Sequence, residues 1–155
     1  MFKKFLIATD GSKLAEDAAR GAIELAKASG AEVVGFFATP TYNLPIYNDM
    51  SFAPVMALES DFNKHTERLA KKYLGMLDAL AKAAGVPFTG QFAASDQPAL
   101  AIIEAARSQH CDMICMGSHG HGRVAQMLLG SVAAKVLSLC DIPVLVHRTR
   151  KSAQA

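Results

Sequence analysis

No apolar run in this 155-residue chain approaches the ~20 residues that a membrane-spanning helix needs, so no spanning segment is expected. The start of the chain imitates an export signal, but its apolar part, residues 5–8, breaks at Thr9-Asp10. Four residues are too few for a signal core, and no leader is expected. Charge of one sign is not in useful excess: sixteen Lys and Arg against fourteen Asp and Glu leave a formal +2. That balance gives no electrostatic case for a nucleic-acid partner. Cysteine is scarce and odd in number, with Cys111, Cys115 and Cys140 and no Cys-x-x-Cys pair. A disulfide framework is therefore excluded, and reduced thiols in a cytoplasmic protein are expected. Cys111, Cys115, His119 and His121 also lack the paired spacing of a structural zinc site.

What is present is the composition of an ordinary α/β globule, 51% hydrophobic and 19% charged. Its length suits one domain, residues 1–148, that buries roughly two thirds of its unfolded surface, followed by a basic and polar tail, 149–155. Residues 5–8 read as a buried strand, Asp10-Gly11-Ser12 as a turn and N-cap, and the Ala-rich segment after it as a helix closing at Gly30. A second strand is expected over 33–38. The stretch 39–54, with three prolines, is expected to be a long loop. Leu58, Phe62, Leu69, Tyr73, Met76 and Leu80 recur at helical spacing, which predicts a long amphipathic helix over 56–84. Strands over 88–92, 113–116 and 144–146 and helices over 98–108 and 132–139 complete the pattern. Strict alternation implies a parallel, doubly wound five-stranded sheet in the common order 3-2-1-4-5. Its direction reverses between the first and fourth strands, and ligands bind outside the carboxyl ends of strands at such a point. Asp10 ends one of these strands and Gly117 the other.

The chemistry concentrates after the fourth strand. Gly117-Ser118-His119-Gly120 is followed by nine residues and then Gly130-Ser131. Glycines at a strand end let backbone N–H groups approach an anion, and Ser131, opening a helix, adds unpaired amides and a favourable dipole. Ser131 can equally be read as an N-cap. Asp10 is read either as an acid interacting with the dipole of the first helix or as a ligand or Mg²⁺ contact. His119 and His121 flank the phosphate or face solvent. Other nucleotide motifs are missing: there is no Gly-x-x-x-x-Gly-Lys-[Ser/Thr] and no Gly-x-Gly-x-x-Gly at the first turn. No Gly-x-Ser-x-Gly supports a Ser-His-Asp hydrolase either.

With Gly117, Gly120, Gly130 and Ser131 at this spacing, the chain resembles the universal stress protein family, in its nucleotide-binding subclass. The likeness extends to Ile7-Ala8-Thr9-Asp10-Gly11-Ser12, Asp112-Met113-Ile114 and Ile142-Pro143-Val144-Leu145-Val146. It implies a flavodoxin-like fold, related to that of the adenine nucleotide α-hydrolases, and a bound ATP, ADP or AMP. The first turn lacks the Ser-Gly-Gly of the adenylating pyrophosphatases, the nearest enzyme class. By position, Thr9 and Asp10 would meet adenine and ribose, Ala38 and Met116 would line the base pocket, and Ala8 is a further nucleotide-binding candidate. Gly117, Ser118, His119, Gly120, Gly130, Ser131 and Val132 would surround the phosphates, with Asp10 the candidate Mg²⁺ contact. The resemblance implies a stress-response regulatory protein that binds nucleotide, with a slow ATPase or phosphotransfer enzyme as the alternative. It also implies a homodimer through the edge strand Val144, Leu145 and Val146. The alternative there is an edge covered by 149–155. Neither nucleic acid nor membrane is an expected partner.

Overall fold

A computed structural model describes residues 1–43, 52–119 and 129–148. The elements follow in the order β1 (Lys4–Ala8), α1 (Lys13–Ser29), β2 (Glu32–Thr39), α2 (Phe52–Ala84), β3 (Phe88–Ala94), α3 (Pro98–Ser108), β4 (Met113–Gly117), α4 (Ser131–Leu139) and β5 (Val144–His147). All pairings are parallel, in the order β3-β2-β1-β4-β5, as the alternation predicts.

Alternate residues of a strand face opposite sides of a sheet, and the core divides accordingly. Phe5, Ile7, Val33, Phe37 and Cys115 pack beneath α1 and α2 with Ile23, Leu74 and Leu77. Leu6, Ala8, Val34, Phe36, Ile114 and Met116 pack beneath α3 and α4 with Ile102, Ile103 and Val136. Alanines at 15, 18, 19, 22 and 26 give α1 a thin buried face that lets it lie close over the sheet. Ser12 caps its start, Oγ accepting from Ala15 N at 3.2 Å, and Gly30 ends it at φ 68°.

Several boundaries differ from expectation, most of them by one residue at a strand end. Helix α2 begins at Phe52 rather than at 56, and Pro54 is accommodated because the first turn has no intrahelical use for its missing N–H. Strand β3 runs on to Ala94, paired with β2 as far as Thr39↔Ala94. The N-cap of α4 is Gly130, and Ser131 is its first helical residue, so the N-cap reading of Ser131 is corrected. The second half of α2 supplies the buried residues Thr66, Ala70, Leu74, Leu77 and Ala81, whereas 56–65 are exposed except for Phe62, which packs on Tyr42 at 5.3 Å. Among the described residues no helix is long and apolar enough to cross a membrane.

Asp112 ties the amino ends of the two central strands together. Its Oδ2 accepts from Lys3 N at 2.7 Å and its Oδ1 from Lys4 N at 3.0 Å, while its own N–H donates to Lys4 O at 2.9 Å. The register Phe5↔Met113 follows. Replacing Asp112 with Ala removes the acceptor of two backbone donors and should lower the unfolding free energy by about 1–2 kcal/mol in urea titration. Asp112→Asn should lose less, and an unchanged midpoint for Asp112→Ala would contradict this account.

Candidate functional site

A cavity of about 400 Å³ opens at the carboxyl ends of β1 and β4, where the strand order reverses. That size suits a small organic ligand. One wall is apolar and continuous with the core beneath α3: Ala8, Phe36, Ala38, Ile102 and Met116 line it, and Pro98 also lines the cavity. The opposite wall comes from the β4–α4 connection, with Gly117, Ser118, His119, Gly130, Ser131 and Val132. Thr9 and Asp10 join the two from the turn after β1. Every sequence-predicted site residue except Gly120 therefore lines one cavity. Gly120, like His121, lies outside the described residues.

The connection wall is built from backbone. Ser118 is buried, its N–H donates to His147 O at 2.8 Å, and its carbonyl accepts from Gly130 N. Its hydroxyl pairs with His119 Nδ1 at 3.0 Å. Ser118 thus closes the connection on itself, bringing Gly130 back to the end of β4. A Cβ on Gly130 would fall 2.9 Å from Ser118 O and 3.1 Å from His119 Cα, whereas its φ of −71° is open to any residue. Glycine is required there by close approach of backbone. From Gly130 the helix starts, with Ala134 N donating to Gly130 O at 2.9 Å. The helix itself offers no acceptor for the N–H groups of Ser131, Val132 and Ala133, and Gly130 has no side chain to cap them. These donors stand at the positive end of the helix dipole, the kind of place where an anion is favoured.

On the other side, Asp10 is tied to the start of α1 and also borders the cavity: its Oδ1 accepts from Ser12 N at 2.9 Å. Thr9 is buried, donates its N–H to Phe36 O at 2.9 Å and accepts from Gly11 N through Oγ1 at 3.1 Å.

Sequence reasoning missed Ala15, Phe36, Pro98, Ile102 and Ala133. Phe36 was within reach, since it shares the strand face of Ala38 two residues on. Pro98 and Ile102 stand one helical turn apart on the face of α3 that closes the cavity, a relation no glycine motif could reveal.

Comparison with known proteins shows the family and the fold. The profile of the universal stress protein family matches residues 1–148. The chain belongs to the universal stress protein family. A universal stress protein of Thermus aquaticus is 35% identical over 148 residues, covering 96% of this chain and all of the relative. A universal stress protein solved in complex with cAMP superposes with a TM-score of 0.69 at 24% identity, over 96% of this chain and 99% of its own. An Arabidopsis thaliana member solved with AMP bound superposes with a TM-score of 0.67 at 13% identity, over 96% and 93%. At those identities the two structures speak to the fold.

The thiols lie away from this chemistry. Cys115 faces the layer beneath α1 and α2, across the sheet from the cavity, and burial pushes its thiol up to about 12. Burial likewise raises Cys111 to about 11. Unfolding returns both toward 9.0, so between pH 9.0 and about 11 the folded chain keeps protons that the unfolded chain loses, and stability should fall as pH rises through that window. At pH 8 an aromatic disulfide reagent should titrate only the half-buried Cys140 rapidly, and all three cysteines in denaturant. Three rapidly reacting thiols in the native protein would contradict the packing of β4.

Proposed function

We propose that the crevice binds an adenine nucleotide, ATP or its ADP and AMP relatives, and that the protein acts as a cytoplasmic stress-response regulator through that binding. The observation that carries the reading is the junction, within one cavity, of an apolar wall with the amide donors at the start of α4. A flat base would lie against Ala8, Phe36, Ala38, Ile102 and Met116. Asp10 is the one carboxylate among the described lining residues, and an ionised carboxylate accepts hydrogen bonds, so it suits the donor hydroxyls of a ribose. Phosphates would take the donors of Ser131, Val132 and Ala133, bordered by Gly117, Ser118 and His119. The cAMP and AMP complexes of family members support this reading. Magnesium would enter with a triphosphate, which supplies most of its oxygen ligands, leaving one position for a carboxylate such as Asp10.

Binding is favoured over turnover by what the cavity offers. Among the described lining residues the titratable side chains are Asp10 and His119, and His119 Nδ1 is engaged with Ser118 Oγ. A positioned base and a fixed cation for transition-state charge are what hydrolysis would add.

Calorimetric titration with ATP and AMP tests the reading. The wild type should bind, and Gly130→Val, with circular dichroism confirming its fold, should lose binding at least tenfold, because its side chain must displace the Ser118 carbonyl that sets the connection. Ser131→Ala should bind a few-fold more weakly at most, since its backbone N–H remains. Equal affinity for wild type and Gly130→Val would overturn the site.

Assembly extends the proposal. Among the described residues β5 has β4 as its one strand neighbour, and its outer edge runs along the half-buried Val144, Leu145 and Val146. We propose that this edge pairs with a second copy about a twofold axis. Sedimentation at micromolar concentration should show a dimer, and a monomer both with and without ATP would refute it.

A further inference from the structure

The turn after β1 is where the chain leaves the sheet and enters the cavity wall. Thr9 Oγ1, Asp10 Oδ1 and Ser12 Oγ each accept a backbone N–H from two or three residues ahead, at 3.1, 2.9 and 3.2 Å. Those bonds are local to the turn. Gly11, between them, has φ 79°, a left-handed conformation in the residue with the softest backbone.

A long-range restraint on that glycine comes from α2. A Cβ built on Gly11 would fall 2.2 Å from Tyr73 Cζ, 2.3 Å from Cε1 and 2.6 Å from Cε2. The outer half of the tyrosine ring therefore sits directly on the Gly11 backbone, in the space that a side chain would take. The ring is itself held, edge to face, by Phe37 at 5.2 Å and 85°. Phe37 stands between Phe36 and Ala38, which line the cavity from the other face of β2. Tyr73 does not line the cavity, yet it braces two of the segments that do.

We propose that Tyr73 is a positioning residue of the binding crevice: its ring holds the Gly11 turn and so orients the Asp10 carboxylate toward the sugar hydroxyls of the ligand. The assignment rests on the nucleotide reading above. Ordering the turn before the ligand arrives removes an entropic cost that binding would otherwise carry.

Two variants separate this role from plain packing. Tyr73→Leu keeps apolar bulk against Phe37 and the core but has none of the three atoms that reach Gly11. Tyr73→Phe keeps all three. In the wild type, ATP should bind about tenfold more tightly than 2′,3′-dideoxy-ATP, the effect of a hydrogen bond to a charged acceptor. Tyr73→Leu should narrow that ratio to within about twofold, mainly by weakening ATP, and Tyr73→Phe should preserve it. Without any nucleotide, the Ser12 amide bonded to Asp10 should exchange with solvent about tenfold faster in Tyr73→Leu, and the amides of β4 at their wild-type rate. An unchanged ratio, an unchanged Ser12 rate or an equal acceleration across β4 would overturn the positioning role. A wild type that binds no ATP would instead overturn the nucleotide reading, and the exchange measurement would then decide the Tyr73–Gly11 restraint alone.

Discussion

Strand β1 is bonded along both edges and covered on both faces, with Phe5, Leu6 and Ile7 wholly buried. A parallel sheet has no face it can give to water, so its helices must divide between the two sides. Here α1 and α2 cover one face and α3 and α4 the other. Since the chain moves outward from β1 in opposite directions to β2 and β4, no helix can cover the gap above their carboxyl ends. The crevice is the geometric remainder of satisfying β1, and the residues leaving β1 and β4 become its walls whatever their chemistry.

Chemistry then differentiates the two walls. On the β4 side Ser118 and Gly130 meet backbone to backbone, which leaves no room for a side chain at Gly130, and the helix start beside them presents amide donors. On the sheet side, strand alternation presents Phe36, Ala38 and Met116 as a dry surface. The site's polarity is thus carried mainly by main-chain dipoles, whose direction is set by the helix start and does not depend on a titrating group.

Much of this was legible in the residue order. The alternation of short apolar runs with helical periodicity leads to the sheet order, because it is a local pattern with a local physical cause, and the Gly117 and Gly130 spacing points to the cavity wall that holds both. The rest is not local. Phe36 and Ile102 reach the cavity through packing of separate elements, and Gly11 carries a turn signal but no sign of the ring above it. Even Gly130 is required for a different reason than a bare glycine motif suggests: its torsion is ordinary, and the constraint comes from a carbonyl twelve residues back. The beginning of α2 was misplaced because Pro54 reads as a breaker wherever helix position is unknown.

Helix α2 is anchored through its second half, while 56–65 run past the packed layer. Tyr73 lies within the anchored part, close to where the helix meets the Gly11 turn. From Tyr73 to Met56 the axis covers about 25 Å at the rise of an α-helix. A tilt of about 5° about the tyrosine, which moves atoms beside the fulcrum by a few tenths of an ångström, carries the far end through about 2 Å.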